Sequence, residues 1–188
     1  MIMTRLLAVL LAATLVGCTA MEATRDPASP FFVIPEGSMI ELHQPLEIRP
    51  GTARIWLQRG RVAAGQDWYA PSCNLEIRTL DREHSQTVAP GSFVIRRVQQ
   101  MEERVERPHP EVQLAAVGFS GGLRMGGYDD GGMMGMWRGY HLWLESEEQP
   151  DVLRMTCMGA FADPWEVRPP SLEDLRGIFG DIATLHLP

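Results

Sequence analysis

The sequence predicts a mainly β domain, an antiparallel β-sandwich or barrel-like fold with one short helix near its carboxy-terminal end. Two patterns carry the prediction. Apolar and polar residues alternate with a period of two in one short segment after another, and turn residues separate the segments. A single late stretch instead shows helical spacing behind a capping signal.

Taken in order, Phe31-Phe32-Val33-Ile34 opens the folded part as apolar residues docking on the domain. In Met39–His43, Ile40 and Leu42 share one face while Glu41 and His43 share the other. Leu46 and Ile48 repeat the pattern beyond Pro45. Pro50-Gly51 marks a turn, and Arg54–Gln58 and Asn74–Arg78 each alternate with one polar face. The run Ser92–Val98 follows a second Pro-Gly turn. Tyr140–Leu144 and Val152–Cys157 complete the set, with Cys157 sharing a face with Leu153 and Met155 and so pointing into the core. Charge dominates from Glu102 to Glu106, and Arg107-Pro108-His109-Pro110 ends regular structure there. From Gly118 to Gly139 glycine and methionine are frequent and no period is sustained, which predicts a mobile loop between two strands. The helix is expected after Pro169-Pro170. Ser171-Leu172-Glu173-Asp174 forms a capping box, Leu172, Leu175, Ile178 and Phe179 line one face, and Gly180 stops the helix.

The amino terminus carries a different message. Behind Arg5 an apolar run extends from Leu6 to Val16 and closes on Leu15-Val16-Gly17-Cys18. A run of eleven residues is too short to span a hydrocarbon layer, which takes about 20 helical residues. The stretch resembles the lipobox of bacterial lipoprotein signal peptides. That resemblance implies removal of residues 1–17, a diacylglyceryl group and an amino-terminal acyl chain on Cys18, and stable anchoring, since two or more chains hold where one binds marginally. Thr19 stands where an aspartate in many such proteins signals inner-membrane retention, so the resemblance points to an outer-membrane lipoprotein facing the periplasm. Residues 18–30, broken by Pro27 and Pro30, read as a tether, leaving 31–188 as a single domain. The expected partners are the membrane, through the anchor, and an envelope protein. A net charge of −7 disfavours nucleic acid.

With Cys18 lipidated, Cys73 and Cys157 remain in an oxidising compartment, where two leftover thiols in one small domain usually pair. The spacing lacks the Cys-x-x-Cys pattern of redox or metal chemistry. The body of the chain also resembles small uncharacterised proteobacterial lipoproteins, through Pro50–Gln58, Pro71–Glu76, the strand bearing Cys157 and the terminal Gly180. This second resemblance implies no activity, and it supports pairing of Cys73 with Cys157.

Three further signals bear on chemistry. Gly118-Phe119-Ser120-Gly121-Gly122 matches the Gly-x-Ser-x-Gly pattern of serine hydrolases, with Val112–Val117 as the preceding strand and Asp151 or Asp163 with His186 in the right chain order. A glycine-rich tract stands where the following helix belongs, so the expectation is a non-catalytic protein with no cofactor. Met125, Met133, Met134 and Met136 offer thioethers to a soft ion such as Cu(I), against the simpler reading of adaptable apolar filler. Trp56 and Trp143 fall on faces opposite the aliphatic residues of their strands, which leaves aromatic surface for a ligand or for a covering element. The expected role is binding or envelope support, with Cu(I) capture as the alternative.

Overall fold

Among the residues described by a computed structural model, which are 26, 27, 29, 32–105 and 135–188, ten strands and one helix follow one another. They are β1 (Met39–Leu42), β2 (Leu46–Ile48), β3 (Arg54–Gln58), β4 (Arg61–Ala63), β5 (Ser72–Ile77), β6 (Gln86–Val88), β7 (Gly91–Val105), β8 (Gly135–Glu145), β9 (Val152–Met158), α1 (Leu172–Phe179) and β10 (Ala183–His186). Eight strands form one antiparallel sheet in the order β10-β1-β7-β8-β9-β5-β3-β4, and β2 pairs with β6 apart from it. The large sheet curls into a half-barrel, so the fold is the mainly β, barrel-like one that the alternation predicts.

Alternation decides the core. Ile40, Leu42, Phe93, Leu142, Met155 and Leu75 all fall on one face and are wholly or almost wholly buried. They form one cluster with Leu172, Leu175, Ile178 and Phe179 of α1, with Leu46, Ile48 and Val88 of the small sheet, and with Phe32 and Ile34 of the entering segment. The helix begins where its sequence says. Ser171 Oγ accepts from Asp174 N at 3.1 Å, and Asp174 Oδ2 accepts from Ser171 N at 2.8 Å. Burial raises the Asp174 carboxyl's pKa, but the hydrogen bonds from Arg168 and Ser171 outweigh it and hold the group below its ordinary value. β3 and β4 are joined by Arg59 and Gly60, both left-handed at φ 52° and 70°, the pairing that a two-residue hairpin turn requires.

Four expectations are revised. The glycine-rich stretch does not run as a loop to Gly139, because Gly135–Gly139 is the first part of β8, paired from Val105↔Gly135 to Met101↔Gly139. Its partner β7 continues through the charged stretch to Val105. Glu102 and Arg138 face each other in register, with Arg138 Nε donating to Glu102 Oε1 at 2.7 Å, so the charges serve as a cross-strand pair. Leu153 does not share the buried face with Met155. The β5–β9 register slips between Glu76↔Arg154 and Ile77↔Val152, leaving Leu153 as the extra residue and turning Val152 into the core in its place. Strands β4, β6 and β10 are additional, and since each buries at most one of its residues no apolar alternation marks it in the sequence.

Candidate functional site

The face of the large sheet turned away from α1 carries a cavity of about 580 Å³. That sheet face is laid down in rungs, only part of each lining the cavity, because residues two apart on each strand return to the same face and register aligns them across neighbouring strands. One rung is ionic and runs Arg97–Trp143–Arg154–Glu76–Arg54 across β7, β8, β9, β5 and β3. Arg154 Nε donates to Glu76 Oε2 at 2.8 Å, Arg54 Nη2 lies 3.7 Å from the other oxygen, and Trp143 has the Arg97 and Arg154 guanidinium groups 4.6 and 5.3 Å from its ring centroid. The next rung is neutral and polar, running Gln99–His141–Thr156–Asn74–Trp56. His141 Nδ1 shares a hydrogen bond of 2.8 Å with Thr156 Oγ1. Burial, and then the Arg154 charge, lower the His141 pKa against the opposing pull of Glu76, which favours the neutral ring.

A third rung, Met101–Gly139–Met158–Ser72, begins the apolar end. Trp137, Met158 and Phe161 are buried there as a second cluster, with Trp56, Met101 and Val105 packed against it. Gly139 has to be glycine, since a Cβ would run into the Cys157 carbonyl. One buried amide organises the wall beside this end. Gln58 Nε2 donates to the Asp67 and Ala70 carbonyls at 2.9 Å each, while its Oε1 accepts from Asp67 N at 3.0 Å. The loop so held presents Trp68 edge-on to Trp137 with centroids 4.9 Å apart, and the Trp68 carbonyl accepts from Phe161 N at 2.7 Å. Trp137 Nε1 is buried with no hydrogen-bond partner among the described residues.

The residues singled out in the sequence are distributed otherwise. Cys73 and Cys157 form a disulfide, directly opposite each other on β5 and β9 with a Cα separation of 4.0 Å, on the core face and fully buried. Met136 lies in β8 and is buried, bridged through its backbone to Ala162, so it does not belong to a loop as expected. Met125, Met133 and Met134, Ser120 and the Val112–Val117 strand, and the lipidation residue Cys18 all lie outside the described residues. His186 Nε2 meets Glu41 Oε2 at 2.8 Å across β10 and β1, whereas Asp151 Oδ1 accepts from Thr79 Oγ1 at 2.7 Å. Neither Asp151 nor Asp163 partners His186 as a triad requires. Trp56 and Trp143 do lie on the face opposite the aliphatic core, as their positions in the strands predict.

Sequence reasoning passed over Asn74, Glu76, Arg154, Thr156, Met101 and Met158. The signal for most of them was present as the polar half of each alternating strand, which reads as a solvated face until strand order brings five such halves together. The fold and cavity define a class, a β half-barrel with a ligand-sized cavity on the sheet face opposite its core. Comparison with family models, with curated proteins and with solved structures gives no match for this chain.

Proposed function

We propose that this chain is an exported lipoprotein, anchored through Cys18 in the outer membrane and facing the periplasm, which binds a small ligand in the sheet-face cavity without catalysing its conversion. The cavity is the single observation that carries the binding role. Its volume of about 580 Å³ is that of a small-molecule site, and it combines aromatic walls with a few placed polar groups. Several of its polar side chains are held in place by a neighbour, His141 by Thr156, Glu76 by Arg154 and Glu102 by Arg138, an arrangement suited to holding and orienting a ligand. The Cys73–Cys157 disulfide supports an oxidising compartment, and the lipobox-like start supports the anchor.

Two measurements test the proposal. Mass spectrometry of the membrane fraction is expected to find a mature chain that starts at an acylated Cys18, and an unmodified soluble chain starting elsewhere would overturn the anchor. A thermal-shift screen of the wild-type chain against a broad set of small polar and amphipathic molecules is expected to yield stabilising compounds whose effect is lost in Trp56→Ala. A set with no stabilising member would overturn the binding role.

A further inference from the structure

The cavity is graded, and the grading specifies what fits. We infer that its ligand is an amphipathic monoanion, with a carboxylate at the Arg154–Arg54 end and an apolar or aromatic body running toward Trp137. This rests on the binding role proposed above.

The ionic rung holds three guanidinium groups and one carboxylate, Glu76, and two of these guanidinium groups, those of Arg54 and Arg154, line the cavity, so in an acidic chain of net charge −7 this end of it carries a local cationic surplus. Among the described residues Glu76 takes only Nε of Arg154, which leaves both terminal amino groups of that guanidinium for the paired oxygens of a second carboxylate. Arg54 stands beside it with half of its side chain exposed. At the other end the charge has the opposite sign. Glu103 sits opposite Trp137 in register at the cavity rim, and Glu102 is neutralised by Arg138. An anionic head is therefore drawn toward β9 and β5 and repelled from the apolar end, which orients the ligand.

The body has its own fit. From the ionic rung to the Met158 rung is four residues along a strand, about 13 Å at the usual rise. Over that length the lining passes from the neutral amide, hydroxyl and imidazole of Asn74, Thr156 and His141 to the thioethers of Met101 and Met158 and the indoles of Trp68 and Trp137. A purely polar ligand would leave the apolar end wetted, and a hydrocarbon without a head would leave the guanidinium surplus unanswered.

The test uses 4-phenylbutyrate, with 4-phenylbutanol and 4-phenylbutylamine carrying the same body on a neutral and a cationic head. Each is titrated by calorimetry into the full-length protein in lipid nanodiscs, with empty nanodiscs as the blank. The acid is expected to bind about tenfold or more tighter than the alcohol, as a charge-assisted bidentate contact provides, and the amine most weakly. Arg154→Gln should bring the acid down to the level of the alcohol while leaving the alcohol unchanged. Because Arg154 also stacks on Trp143, Arg54→Gln is the second variant, expected to weaken the acid alone in a protein with unchanged melting temperature. Trp56→Ala should weaken acid and alcohol together. Acid and alcohol binding equally, with both lost in Trp56→Ala, would overturn the anionic head and leave the binding role standing. No binding by any of the three would overturn the amphipathic monoanion, while the binding role would still be judged by the broad screen.

Discussion

Gly180, the residue that ends α1, is stacked on Gly60 in the hairpin turn between β3 and β4. A Cβ built on Gly180 would stand 2.6 Å from the Gly60 Cα, and Gly60 N donates to the Ile178 carbonyl at 3.1 Å. The contact locks the end of the helix to the edge of the sheet whose far face bears the cavity. Because Gly180 is also left-handed at φ 51°, Gly180→Ala meets both backbone strain and overlap. It is expected to destabilise the fold by about 2–4 kcal/mol, read as a lower urea midpoint at unchanged slope. Gly177→Ala, where a Cβ meets nothing within 4 Å, is the control and should be neutral or slightly stabilising in the helix.

The disulfide joins residues 84 apart in the chain and adjacent in the sheet. Closing a loop of that length limits the unfolded chain by about 4.5 kcal/mol in the chain-entropy account. Replacing Cys73 and Cys157 together by alanine should remove about 2–5 kcal/mol of stability, measured by chemical denaturation. Thiol titration of the unfolded, unreduced wild type should find neither of these two cysteines free.

Asp174 sets an acid limit on the helix. Its folded-state carboxyl pKa lies below the ordinary value, so its contribution is fully present above the unfolded pKa and is lost as pH falls through the lower, folded one. Melting temperature followed from pH 5 down to pH 2 is expected to fall more gently in Asp174→Asn than in the wild type. Ser171→Ala, which removes the reciprocal bond to Asp174 N, should cost about 1 kcal/mol at neutral pH.

His141 works in the same direction at a milder pH. Burial and Arg154 lower its folded pKa, so the unfolded chain binds the proton more readily and stability declines as pH drops below the ordinary histidine value. His141→Gln should flatten the change in melting temperature between pH 7 and pH 5.

Trp137 separates shape from hydrogen bonding. Its ring is buried against Trp68 and Phe161 at 4.9 Å from each, while its Nε1 has no partner among the described residues. Phenylalanine at this position gives up some area and removes an unsatisfied donor that costs about 1–3 kcal/mol, so Trp137→Phe should lie close to the wild type. Trp137→Ala should lose about 3–5 kcal/mol. Equal losses in the two variants would show that the buried N–H is satisfied.

Much of this architecture is legible along the chain. In Arg54–Gln58 and Met39–Leu42 the alternation marks both the strand and the side of the sheet each residue takes, because successive side chains on a strand point to opposite faces whatever lies beside them. The helix from Leu172 is equally local, since its cap is made by residues three apart. Where alternation breaks, the reading breaks with it. Leu153 looks like a core residue until the bulge against Ile77 displaces it, and Gly135–Gly139 looks like loop until β7 pairs with it.

The sequence by itself determined the strand-rich class, the capped helix and the face on which each side chain of a regular strand would lie, since these follow from spacings of two to four residues. Only the tertiary structure decided that His141, Thr156, Asn74 and Trp56 form one rung, that Arg54 and Arg154 share the Glu76 carboxylate beside them, and that Cys73 stands opposite Cys157. Those relations depend on strand order and register. Both are fixed by packing between residues distant in sequence, where the period of any single strand assigns a side but names no neighbour.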